Sequence, residues 1–170
     1  EITLRTPAAW EAATAMRESV SGALIGVGTV TTAEQMERAF ALSLDFAVSP
    51  GATTALLEAR SGLDIAWLPG ASTPSESMRL LDHGFTVQKL FPASSMGGLG
   101  YIDALYGPLP EVSFCPTGGL NAGNAAEYLA RQNVACVGGS WVAPRPSIQL
   151  GDWAAITALA ADASGLRGAV

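Results

Sequence analysis

Apolar residues along this chain fall into short runs that end in Gly, Pro, Ser or Thr, and a stretch with helical spacing of apolar positions follows each. The runs are EITLRT (1–6), ALIGVGTV (23–30), FAVSPG (46–51), IAWLPGA (65–71), VQKLFPA (87–93), VSFCPTGG (112–119) and ACVGGSW (135–141). Between them lie TPAAWEAATAMRES, TAEQMERAFAL, TTALLEARSG, TPSESMRLLDHG, LGYIDALYG and NAGNAAEYLAR, and DWAAITALAADAS follows the last. The pattern predicts seven strands alternating with seven helices. Its repeat is about 20–25 residues, the length of a βα unit with short loops.

Strands that are apolar along their whole length need cover on both faces, so the prediction is a parallel sheet and an α/β fold. An open doubly wound sheet would want a G-x-G-x-x-G first turn, and GVGTVT (26–31) supplies two of those three glycines. Small and polar residues instead collect at every strand end, as a closed (β/α)8 TIM barrel requires. The expectation is therefore a single barrel domain over 1–170. Such a barrel needs eight strands and the pattern yields seven. One βα unit, roughly 30–45 residues, is accordingly expected upstream of residue 1.

Composition narrows the class. With 49% hydrophobic residues, 14% charged residues and nineteen glycines, the chain reads as a tightly turned globular protein. A net charge of −6 with scattered arginines offers no basic patch for nucleic acid or an anionic membrane. No apolar run approaches a membrane span and the first residues lack a signal-peptide pattern, so the expected location is cytoplasmic. One histidine and two separated cysteines leave no protein metal site in prospect. Cys115 and Cys136, both in strand-like runs, are expected to be reduced, buried thiols. His83 precedes Gly84 at a helix end and is read as an end-capping residue without a chemical role.

The candidate chemistry starts from Lys89, the single lysine of the chain, set in an apolar strand. Alternation places Val87, Lys89 and Phe91 on one face and Gln88 and Leu90 on the other, so Lys89 points either into the barrel or at the helix layer. A desolvated lysine tends toward its neutral amine, which can attack a carbonyl. In EITLRT, Glu1, Thr3 and Arg5 share a face. A carboxylate there could serve imine chemistry as acid and base, and a guanidinium suits a carboxylate or phosphate. CPTGGLNAGN (115–124) and VGGSW (137–141) place paired glycines just past strand ends, where backbone N–H groups can cradle a phosphate.

In this order, EITLRT, IGVGTV, FAVSPG, WLPGASTPSE, KLFPAS with its following GG, FCPTGGLNAGNAAEYL and NVACVGGSWV resemble the 2-keto-3-deoxy-6-phosphogluconate (KDPG) aldolase family, whose members include 4-hydroxy-2-oxoglutarate (KHG) aldolases. The resemblance spans residues 1 to about 157. It implies a class I aldolase on a (β/α)8 barrel, working without cofactor or metal on a small phosphorylated keto acid, and a homotrimer. It further implies Lys89 as the Schiff-base lysine and Glu1 as the general acid and base. Arg5 and Thr29 would meet the pyruvyl carboxylate region, Pro50 and Phe91 would shape the pocket, and Thr117 would lie near the keto acid. Gly118, Gly119, Gly139 and Ser140 would hold the phosphate. The glycine loops taken alone equally suit a phosphate-binding barrel isomerase or synthase, which would need no imine. A KHG preference would show as little gain from a substrate phosphate.

Overall fold

The structure is a computed structural model that describes residues 1–166, so the last four residues of the expected domain lie outside the described residues. The chain divides into two compact units, 1–89 and 90–170.

In the first unit β1 (Ile2–Thr3), β2 (Gly26–Gly28), β3 (Phe46–Val48) and β4 (Ala66–Leu68) form a parallel sheet in sequence order. The register pairs Thr3 with Gly28, Val27 with Ala47, and Ala47 with Trp67. Pairing runs past the strand ends, since Leu4 N–H donates to Gly28 at 2.8 Å, Val30 N–H to Val48 at 3.0 Å and Ser49 N–H to Leu68 at 3.2 Å. Helices α1 (Ala9–Ser19), α2 (Ala33–Ala41) and α3 (Thr54–Ser61) connect these strands, as the pattern predicts. The predicted run 65–71 is broken. Pro69, which has no N–H to donate, separates β4 from β5 (Gly70–Ala71). After α4 (Pro74–Asp82) comes β6 (Val87–Leu90), where Lys89 N–H donates to Pro69 O at 2.8 Å.

The threonines that open the predicted helices explain where those helices start. Thr32 with Gln35 and Thr73 with Glu76 each form a reciprocal capping box, and Thr53 Oγ1 accepts from Leu56 N–H. Between sheet and helices lies a core that includes Val27, Met36, Ala47, Leu56, Trp67 and Leu80, with Ile2 and Leu4 packed against it. Trp67 meets Phe85 edge-on at 5.1 Å and donates its indole N–H to the buried Ser49 hydroxyl at 3.1 Å. His83 caps α4 through its backbone N–H to Leu80 and Leu81, in line with the sequence reading.

The second unit holds α5 (Gly98–Tyr106), β7 (Ser113–Pro116), α6 (Ala125–Leu129), α7 (Arg145–Leu150) and α8 (Trp153–Ser164). Helix α7 went unpredicted because RPSIQL offers only one turn and a half and buries none of its residues. The predicted strand 135–141 is reduced to two parallel bridges, Phe114 with Val134 and Thr117 with Gly138. Buried Asn133 holds this region by donating from Nδ2 to Ile102 O at 2.9 Å and accepting from Phe114 N–H at 2.8 Å. The expectation of two buried thiols holds for Cys115 and fails for Cys136, which is exposed: the segment carrying it is not covered as a continuous interior strand would be.

Two glycines make opposite tests of this packing. A Cβ on Gly70 would strike the backbone carbonyl of Pro50 and come within 2.7 Å of Gly51 N, whereas one on Gly100, inside α5, would meet nothing within 4 Å. Gly70→Ala should lower stability by about 1–3 kcal/mol, and Gly100→Ala should raise it by about 0.5–1 kcal/mol. Urea denaturation midpoints at unchanged slope check both.

Candidate active site

The first unit places five candidate residues, Glu1, Arg5, Thr29, Pro50 and Lys89, at or beside its strands. Gln88 is fully buried, and its amide Nε2 donates to Ser77 O of α4 at 3.0 Å and to Phe85 O at 2.8 Å. Gln88 therefore faces the helix layer. Alternation then puts Lys89 on the opposite, inner face of β6, which resolves the choice that the sequence left open. Lys89 is only 4% exposed. A long cationic side chain is rarely this deep in a fold unless the site has a use for it or pairs it.

Glu1 and Arg5 meet the end of β2. The Glu1 carboxylate runs along the strand to Gly28, so closely that a Cβ on Gly28 would overlap Glu1 Oε1. Arg5 Nε donates to Thr29 Oγ1 at 3.2 Å. Thr29 has φ 63°, a left-handed conformation that a β-branched residue adopts only under constraint. Backbone strain at a strand end that aims a hydroxyl at a guanidinium fits a binding site. Pro50, two residues past β3, is partly buried with its carbonyl against Gly70. Gly28 is a site residue that sequence reasoning passed over. It had counted only as part of a weak dinucleotide-turn match, and nothing in a linear pattern says that a carboxylate lies across it.

In the second unit Gly118 and Gly119 have φ 94° and 82°, two successive left-handed residues that side-chain-bearing amino acids resist. The carbonyls around them are engaged: Thr117 O accepts from Ala93 N–H at 2.9 Å, Gly118 O from Ser94 N–H at 3.1 Å, and Gly119 O from Asn124 Nδ2 at 3.2 Å. Phe91 packs on this turn, its ring 3.2 Å from where a Gly118 Cβ would stand. Thr117 Oγ1 fills the space a Gly138 side chain would take, and the Trp141 ring covers Gly139. Close packing thus accounts for the Gly138–Gly139 pair, which the sequence offered as part of a phosphate cradle, and Gly138 makes room for Thr117. Ser140 is exposed.

Among the described residues no cluster of His, Cys, Asp and Glu could hold a metal ion, and no helix is long and apolar enough to cross a membrane. A surface groove of about 340 Å³ lined by Trp10, Glu11, Arg38 and Leu42 includes none of the candidate residues.

Comparison with known proteins converges on one group. The profile of the family described as "KDPG and KHG aldolase" matches residues 1–159. A 2-dehydro-3-deoxy-phosphogluconate aldolase of Pseudoalteromonas atlantica is 48% identical over 163 residues, covering 96% of this chain and 76% of that protein. The crystal structure of a Legionella pneumophila KDPG aldolase, with pyruvate captured as a covalent carbinolamine, superposes with a TM-score of 0.90 at 44% identity, over 93% of this chain and 77% of that one. A Zymomonas mobilis KDPG aldolase with 3-phosphoglycerate also gives 0.90, at 40% identity over 99% of this chain and 78% of that one. These similarities make the fold class that of the α/β, (β/α)8-barrel aldolases. They also make the protein an enzyme, a lyase. On sequence and on structure, the chain belongs to the KDPG and KHG aldolase family.

Proposed function

We propose that this chain is a class I aldolase that cleaves 2-keto-3-deoxy-6-phosphogluconate into pyruvate and glyceraldehyde 3-phosphate through a Schiff base on Lys89. The observation that carries the reading is the burial of the single lysine on the inner face of β6. Removal from water opposes charging of an amine, and the neutral amine is the nucleophile in imine formation. The relative from Legionella pneumophila, caught with pyruvate as a covalent carbinolamine, supports that chemistry.

In this mechanism the Lys89 amine attacks the C2 ketone, giving a carbinolamine that loses water to a protonated imine. Loss of the proton from the C4 hydroxyl then breaks the C3–C4 bond. Its electron pair moves into the iminium, giving an enamine and free aldehyde. Protonation of C3 and hydrolysis release pyruvate and restore the amine. Glu1 carries the protons, a role suited to a carboxylate held at a strand end by a glycine. Arg5, tethered to Thr29, takes the substrate carboxylate. Thr117 lies by the keto acid, and Pro50 and Phe91 border it. The turn at Gly118 and Gly119, with Gly139 and Ser140, takes the phosphate through backbone N–H groups. The Zymomonas mobilis relative with bound 3-phosphoglycerate supports a phosphorylated substrate.

The family description names KHG as well as KDPG, which keeps a second substrate in view. The glycine turn favours the phosphorylated one: its phosphate contacts should lift kcat/KM for KDPG over KHG by about 100-fold or more. Equal values for the two substrates would remove the phosphate from the account.

Pyruvate with borohydride should fix one adduct on Lys89, located by peptide mapping, and abolish cleavage. Lys89→Arg keeps the charge but has no neutral amine, and its rate should fall by roughly four orders of magnitude or more. Full activity in a protein that borohydride leaves unmodified would refute the imine.

Gly28→Ala separates the carboxylate from the fold. The obstructing atom is the far end of the flexible Glu1 side chain, so the chain should fold while Glu1 is displaced. We expect kcat to drop about 10- to 100-fold with the melting temperature nearly unchanged, read by steady-state kinetics beside thermal denaturation.

A further inference from the structure

Two thiols that the aldol mechanism does not use lie side by side in the second unit. The parallel bridges Phe114 with Val134 and Thr117 with Gly138 bracket them. Counting back two residues from the second bridge sets Cys115 opposite Cys136. Between the bridges one side advances three residues and the other four, so the 134–138 segment carries a bulge that re-aims its side chains. The Cys115 side chain lies close enough to act on the Cys136 thiol. Cys136 is exposed and Cys115 is buried behind it, with Cys115 Sγ 3.9 Å from Thr117 Oγ1.

We propose that Cys115 and Cys136 are a redox modification site: a two-electron oxidant of the peroxide class joins them in a reversible intramolecular disulfide, and that bond slows the enzyme. The Cys115 side chain lowers the Cys136 thiol to about 7, outweighing the partial desolvation that opposes it. A large thiolate fraction is therefore present at neutral pH, on the cysteine that solvent reaches. The Cys136 thiolate attacks a peroxide oxygen and breaks the O–O bond. It becomes a sulfenic acid, and the expelled hydroxide takes a proton to form water. Cys115 then gives up its proton and attacks the Cys136 sulfur, expelling hydroxide that leaves as a second water. Two thiols are oxidised and one peroxide is reduced to two waters.

The disulfide acts on the site through the two residues that follow it. Thr117 lies two residues past Cys115, and Gly138 two past Cys136. Thr117 Oγ1 already occupies the space beside Gly138. A disulfide holds its Cβ atoms about 3.5–4.5 Å apart. Drawing the strand ends together shifts Thr117 and the adjoining Gly118–Gly119 turn, and small misplacements in an active site cost up to about 100-fold in rate. The effect on rate rests on the aldolase reading above; the crosslink does not.

The test treats the purified chain with hydrogen peroxide, blocks remaining thiols with iodoacetamide, and reads intact mass, non-reducing peptide map and cleavage rate. Trypsin separates the cysteines at Arg131, so the crosslink is visible as a joined peptide pair. We expect loss of two hydrogens, no alkylation, a Cys115–Cys136 peptide, and a rate reduced by about tenfold or more that dithiothreitol restores. Cys136→Ser should stay active and resist peroxide, and Cys115→Ser should accumulate a sulfenic acid at Cys136 that dimedone traps. Two alkylated cysteines after peroxide, a disulfide only between chains, or a crosslink that leaves the rate unchanged would each overturn the proposal. An untreated sample without aldolase activity would instead refute the reading of function, with the mass map still reporting on the thiols.

Discussion

A parallel strand covered on both faces has no wet side, and most of this molecule's organisation follows from that constraint. Every polar group in such a strand must either reach a partner or be placed where chemistry uses it. In β6 the two outcomes sit next to each other. Gln88 turns to the helix layer and donates both hydrogens of its amide nitrogen to the Ser77 and Phe85 carbonyls, leaving its buried Oε1 without a hydrogen-bond partner among the described residues, while Lys89 takes the other face. The glutamine's partners thereby fix the lysine's direction. Ser49 and Trp67 follow the same rule, hydroxyl and indole satisfying each other in the core.

Close approach at the strand ends is the second theme, and glycine is its instrument. Gly28 admits the Glu1 carboxylate, Gly70 admits the Pro50 backbone, and Gly138 admits the Thr117 hydroxyl. Each is a place where a polar group needed near the strand ends occupies volume that any side chain would claim. Gly118 and Gly119 are required for a different reason, their left-handed backbone. A glycine-rich sequence thus encodes several distinct demands, and only some of them concern an anion. Thr29 marks the limit of this economy. There the chain accepts a left-handed threonine and keeps its hydroxyl on Arg5.

The sequence by itself determined the order of the elements, because alternation of apolar runs with helical spacing is a local property that burial on both sides of a sheet imposes. Capping threonines located helix starts to within a residue or two, since a cap acts through bonds to the next turn. Lys89 was legible as the candidate nucleophile because a lone lysine in an apolar run has few structural uses, and Glu1 and Arg5 were legible as its candidate partners, although β1 itself spans only Ile2–Thr3 and leaves both outside the strand. Tertiary structure decided the rest. Which way Lys89 points depends on α4, through Ser77, eleven residues upstream of Gln88. That Gly28 serves Glu1 depends on β1 pairing with β2. The fate of 135–141 and the meeting of Cys136 with Cys115 depend on a bulge between two long-range bridges. Periodicity records the environment of a residue, whereas contact between distant residues is set by register, and a linear pattern does not contain register.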